Sequence, residues 1–216
     1  DVLREGVEDG RRTFANTLKY ISITTSANFG NMVSMALAAP FLPFLPLLAK
    51  QILLNNFLSD IPSIAISSDN VDAGAIAVPQ RWSIREIRRF MVVFGLISTV
   101  FDLLTFSVLL LVFEAGESAF QTAWFVTSLL TELAVVLVLR THRPAFRSRP
   151  SPLLLWSTVA VSAATLAIPY LGRLSGVFGF VPLPGSLLVT VIGIVAGYIL
   201  VTEAAKAWFY REKREA

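Results

Sequence analysis

Two asparagines, Asn28 and Asn31, stand three residues apart in "SANFGNMVSMALAAPFLPFLP", a stretch otherwise suited to lipid. With Thr24 they occupy positions i, i+4 and i+7, which fall on one face of a helix. A second stretch, "QILLNNFLSDIPSIAI", carries Asn56, Ser59, Asp60 and Ser63 at the same kind of spacing. A carboxylate such as Asp60 near the middle of a bilayer costs on the order of 3 kcal/mol. Pro62 removes the backbone hydrogen bond to the Leu58 carbonyl and disfavours helical geometry at Ile61. A carbonyl freed in lipid needs a partner, and a cation is one. Amide, hydroxyl, carboxylate and carbonyl oxygens together suit a hard cation: Mg2+, Ca2+, Na+ or K+. Hydroxyls alone would read as ordinary bonds between helices. Asn28, Asn31 and Asp60 beside Pro62 point instead to an ion site.

Three further acids lie in apolar surroundings. Asp102, in "STVFDLLTF", is expected to pair with a polar group on a neighbouring helix. Glu132, in "SLLTELAVV", is open between ion ligand and buried hydrogen-bonding group. Glu203 is expected at the surface near Lys206, reaching toward water. The chain has no cysteine and one histidine, which excludes disulfides, thiolate metal sites and multi-histidine sites. An intramembrane serine protease would want a histidine within the membrane, and His142 falls in a loop.

These residues need elements to carry them. The chain of 216 residues is 55% hydrophobic and only 15% charged, with mean hydropathy +0.67. That is the composition of an integral membrane protein. A helix needs about 20 apolar residues to cross a bilayer. Six segments qualify: 20–39, 47–66, 90–113, 121–140, 153–171 and 184–208. Before the first, Phe14, Leu18 and Ile21 keep helical spacing, so that helix is expected to extend into water as a stalk. Pro40, Pro43 and Pro46 end it. With six spans, 16 of the 18 Lys and Arg residues fall on one side, and only Lys50 and Arg173 on the other. Lys and Arg favour the cytosolic side. The segment "WSIREIRRF" is expected as an amphipathic lead-in to the third span, its arginines anchoring the chain on that side. The expected fold is therefore an all-α, polytopic bundle of six transmembrane helices. Residues 1–19 form a cytosolic stalk; residues 20–216 form the membrane domain with a cytosolic tail. Both termini are expected in the cytosol and the bundle in the plasma or inner membrane, with the bilayer and not nucleic acid as partner. The charged start at Asp1 is not a signal peptide, and the expectation is a piece of something larger.

"GRRTFANTLKYISITTSANFGNM" and "PFLPFLPLLAKQILLNNFLSDIPS" together resemble the P-type cation ATPases, from the end of the phosphorylation domain into the fifth and sixth membrane helices. "RFMVVFGLISTVFDLLTF" and "FQTAWFVTSLLTELAVVLVLRT" are similar to the magnesium-transporting branch. The resemblance covers essentially the whole chain. It implies that the six segments are the fifth to tenth helices and that Mg2+ is the transported ion. It places Asn28 and Asn31 at ligand positions of the fifth helix, and Asn56 and Asp60 at those of the sixth. Asn31 and Asp60 are the leading pair, and Ser59 and Glu132 complete the candidate set. The phosphorylation motif "DKTGT" is absent from these residues. ATP would act only through cytosolic domains, and partners would include those domains and the first four helices. A Ca2+ or monovalent-cation pump of the same family is an alternative, because calcium pumps resemble this pattern at Glu132. A free-standing six-helix regulatory or scaffold protein is another.

Overall fold

The computed structural model describes the backbone of residues 2–77 and 79–215, with side chains as far as residue 211. Asp1 and the tail cations Lys213 and Arg214 lie outside the described side chains. The described residues form eight α-helices and no strand. In chain order they are α1 (Val2–Ala38), α2 (Ala49–Ala65), α3 (Ala73–Ala77), α4 (Ile84–Leu111), α5 (Glu117–Leu139), α6 (Pro152–Ala167), α7 (Arg173–Phe178) and α8 (Gly185–Glu215).

Four helical stretches are long and apolar enough to cross a bilayer: Ile84–Leu111, Glu117–Leu139, Pro152–Tyr170 and Gly185–Arg211. They coincide with the last four expected segments. The first two segments do form helices, but neither reaches that standard. α2 has only 17 residues, and the inner half of α1 is diluted by Thr24, Thr25, Ser26, Asn28, Asn31 and Ser34. α1 is a single 37-residue helix, about 55 Å long.

Local signals fix the ends. α1 stops before Pro40, as the sequence implies. Ser83 caps α4 by accepting from the Glu86 N–H at 3.3 Å. Ser151 caps α6 from the Leu154 N–H at 3.3 Å, and Pro152 takes the first turn, where it has no N–H to leave unpaired. α7 ends on Gly179 at φ 76, a left-handed position that glycine adopts freely. α2 continues through Pro62 to Ala65.

α5 is the hub. It packs against α8, α2, α4, α6 and α1, and 78% of its apolar span is buried. One apolar cluster gathers Phe120, Trp124, Phe125 and Leu129 of α5 with Phe106, Leu109 and Phe180. A second gathers Val135, Val136, Val138 and Leu139 with Phe90, Phe94, Tyr198 and Phe209. The polar residues of α5, Ser128, Thr131 and Glu132, fall around the junction of the two.

Lipid tails are as apolar as leucine, so membrane helices associate through close packing and bonds between helices. α1 and α4 meet in this way. A Cβ added at Gly30 would lie 2.9 Å from the Gly95 carbonyl oxygen and from Ser98 Cβ. One added at Gly95 would lie 2.6 Å from Phe29 and 3.0 Å from the Ser26 carbonyl oxygen. Thr99 Oγ1 then reaches across to donate to the Gly30 carbonyl at 3.2 Å. Gly30→Ala is therefore expected to destabilise the bundle by about 1–3 kcal/mol. Gly193→Ala, where a Cβ meets nothing within 4 Å, is expected to be neutral. Thermal unfolding of both variants in detergent checks the contrast.

Candidate functional site

The interior stripe of α2 is spaced by four: Gln51, Asn55, Ser59 and Ser63 are all buried. Asn55 Nδ2 donates to Glu132 Oε2 at 3.1 Å, and Ser59 also bonds to the Glu132 carboxylate. From α5, Ser128 Oγ donates to Asn31 Oδ1 of α1 at 3.2 Å. Asn31, Ser98, Ser128, Thr131, Glu132 and Tyr198 line a small cavity of about 10 Å³, room for about one water. Glu132 is 9% exposed, and no cationic side chain pairs with it among the described residues. Asn55 Oδ1 is buried beside it with no hydrogen-bond partner. A buried carboxylate and an unpartnered amide oxygen on facing helices form a pole of oxygens without a counter-charge. Oxygens of these kinds are the ligand type that hard cations take.

The structure brings together Asn31, Ser59 and Glu132 from the predicted set. It does not bring Asn28, Asn56 and Asp60 to them. Those three are exposed on the outer surface of the described residues. The expectation that Asn56 and Asp60 face inward with Ser59 and Ser63 is corrected by one residue of helical phase, for Asn55 takes the inner position. Sequence reasoning missed Asn55, and the signal was present: Gln51, Asn55, Ser59 and Ser63 repeat at i+4, a helix stripe.

Asp102 meets its expectation. It is buried between helices and accepts from Ser34 Oγ of α1 at 2.6 Å and from Trp124 Nε1 of α5 at 3.0 Å. Glu203 does not. It pairs with Lys206 at 2.9 Å and accepts from the Ala145 N–H at 3.3 Å. Lys206 is 1% exposed and donates to the carbonyls of Val138 at 2.9 Å and Arg143 at 2.8 Å. The last carbonyls of α5 have no partner within their own helix, and a cation at a helix C-terminus also meets the negative end of its dipole. Glu203 is therefore held within the bundle because it neutralises that capping lysine. Arg140 is a second buried cation at the end of α5. It is 2% exposed, with Nη1 donating to both Asp69 oxygens at 3.2 Å.

An all-helical bundle with long apolar helices and carboxylates buried at its centre is the architecture of a membrane transporter. Residues 44–208 match the family described as the C-terminus of cation transporting ATPases, and the chain belongs to that family. It is 43% identical over 215 residues to the "Magnesium-transporting ATPase, P-type 1" of Escherichia coli (strain K12), covering 97% of this chain and 24% of that protein. Proteins of the same name in Salmonella typhimurium are 42% identical (strain 14028s) and 36% identical (strain LT2), each over 97% of this chain and 24% of theirs. The chain thus spans about a quarter of the length of these relatives.

Asn55→Leu would strip Glu132 of a donor, and a buried polar group left unpaired costs about 1–3 kcal/mol. Asn56→Leu, on the outer surface, is expected to leave stability unchanged. Thermal unfolding of the two variants in detergent decides which asparagine faces the interior.

Proposed function

We propose that this chain is the last six-span portion of an ATP-driven Mg2+ transporter, and that it supplies part of the ion's path through the membrane. In this reading residues 1–19 are a cytosolic stalk and residues 20–216 the membrane domain. α1 and α2 cross the bilayer together with the four long apolar helices, and both termini are cytosolic. The placement of 16 of 18 basic residues on one side supports that orientation. Polar residues make α1 and α2 poor lipid-facing helices, which is what an ion path between them would require.

The observation that carries the reading is Glu132. It is a buried carboxylate without a cation, beside the unpartnered Asn55 oxygen, in a chain 43% identical to a transporter named for Mg2+. Two carboxylates, Asp60 and Glu132, would balance one divalent ion, which favours Mg2+ or Ca2+ over a monovalent cation. Mg2+ demands near-octahedral oxygen geometry and keeps several waters. A cavity of about 10 Å³ is too small for such a hydrated ion. Asn31 and Glu132 would therefore have to give up their bonds to Ser128 and Asn55 for the ion to enter. Asn28, Asn56 and Asp60, on the uncovered surface, would complete the cage with groups from the rest of the polypeptide. A distant phosphorylation would drive the exchange, and α1, extending from the cytosol to Asn31, is the element suited to transmit it. ATP binding and phosphoryl transfer would belong to the cytosolic domains.

In the complete transporter, Asp60→Ala is expected to abolish Mg2+-stimulated ATP hydrolysis. Glu132→Gln is expected to raise the Mg2+ concentration for half-maximal activity at least about tenfold. The same assay run with Ca2+ separates the two divalent readings. Full Mg2+-stimulated activity in both variants would end the assignment.

A further inference from the structure

Asp69 lies on the loop that follows α2 and its terminal 3-10 turn. Its side chain is fully buried, yet three donor groups from three elements meet it in four hydrogen bonds. Lys19 Nζ of α1 donates to Oδ2 at 3.2 Å. Arg140 Nη1, at the end of α5, donates to both oxygens at 3.2 Å. The Ser151 N–H, at the N-cap of α6, donates to Oδ1 at 3.1 Å. The loop is also pinned to α1 by Asn16 Nδ2, which donates to the carbonyls of Ser67 at 3.1 Å and Asp69 at 2.9 Å. Arg140 is steadied from its other side by the Ser148 carbonyl and hydroxyl. One carboxylate thus serves a buried cation and a half-buried one on two different helices.

The spacing along those helices gives this cluster a consequence at a distance. Twelve residues separate Lys19 from Asn31 on α1, and twelve separate Ser128 from Arg140 on α5. Each interval is about 18 Å of helix. α1 and α5 are bridged at both ends of it: through Asp69 at the cytosolic edge, and through the Asn31–Ser128 bond inside. Equal intervals on antiparallel helices make the two bridges rungs of one ladder, so a slip at one rung displaces the other. The close packing at Gly30 and Gly95 joins α1 to α4, and Asp102 of α4, bonded to Ser34 and Trp124, ties that pair to α5 farther from Asp69.

We propose that Asp69 is a positioning residue for the ion site: by holding Lys19 and Arg140 together, it sets the axial register between α1 and α5 that places Asn31 against Ser128 and Glu132. Without its charge, the half-buried Lys19 and the buried Arg140 face one another uncompensated and the rung opens. This inference rests on the reading of Asn31 and Glu132 as part of an ion path.

The test uses the complete transporter that contains this chain. These 216 residues hold no cysteine, so label sites are free to place once cysteines elsewhere are replaced. Spin labels at Gly10→Cys, on the exposed start of α1, and Phe146→Cys, beyond α5, report the separation of the two helix ends. Lys19→Met removes the α1 half of the rung and leaves Asp69–Arg140 intact, and so it carries the test should Asp69→Asn fail to fold. Both variants are expected to lengthen and broaden the label distance. Both should raise the Mg2+ concentration for half-maximal ATP hydrolysis about five- to tenfold, with the maximal rate retained. Arg143→Gln, which breaks only the exposed 4.0 Å pair with Asp72, should change neither. An unchanged label distance in Lys19→Met and Asp69→Asn overturns the strut. A changed distance with unchanged Mg2+ dependence overturns the positioning role. Asn31→Ala is the separate control: if it too leaves Mg2+ dependence unaltered, the ion-site reading fails, while the label distance still judges the strut.

Discussion

A polar atom that leaves water for lipid must find a partner inside the protein, and the arrangement of these helices follows from how each one does so. Many hydroxyls solve the problem locally. Thr105, Thr127, Thr158 and Thr165 each donate to the carbonyl four residues back. Such groups are nearly silent, since they leave one helix free to sit anywhere against the next. Carboxylates and amides have no such outlet. Asp102 takes its donors from α1 and α5, Glu132 takes one from α2, and Asn31 takes one from α5. Those few residues dictate which helices are neighbours.

The end of the bundle at the C-terminus of α5 obeys the same constraint with full charges. Arg140 and Lys206 are both withdrawn from water at the end of α5, one neutralised by Asp69 and the other by Glu203. Burying ions is costly and is offset only where geometry and further hydrogen bonds are good. Here the extra bonds run to the carbonyls of Val138, Arg143 and Ser148. Burial pulls the Lys19 ammonium below the ordinary lysine value, and Asp69 acts in the opposite sense. The end of α5 is consequently tied to α1, α6 and α8 at once. α1 is held through Lys19 by Asp69, at its middle by the glycine contact with α4, and inside the bundle by Asn31. Its exposed first turns extend beyond the lowest of these supports, a geometry suited to carrying movement inward.

Four apolar helices were legible because hydropathy and length need no knowledge of neighbours. The prolines after α1 were legible for the same reason: they are a local signal. Less legible was the phase of α2. Asn55 and Asn56 are adjacent and chemically identical, and Asp60 drew attention to its own side of the helix. Only contact with α5 decides that Asn55 and Ser59 face inward while Asn56 and Asp60 face out. Glu132 was open between two roles, and its surroundings of amide and hydroxyl groups, without a cation, come from four separate helices.

By itself the sequence determined that this protein is helical and built for a membrane, and where α1 stops. Those properties reside in residue types and in spacings of three and four, which a single helix already expresses. Tertiary structure decided which amide meets Glu132, that Arg140 and Lys206 are buried, and that Asp69 joins α1 to α5 across 50 and 71 residues of chain. Such pairings depend on how helices rotate and slide against one another, and no local pattern encodes that.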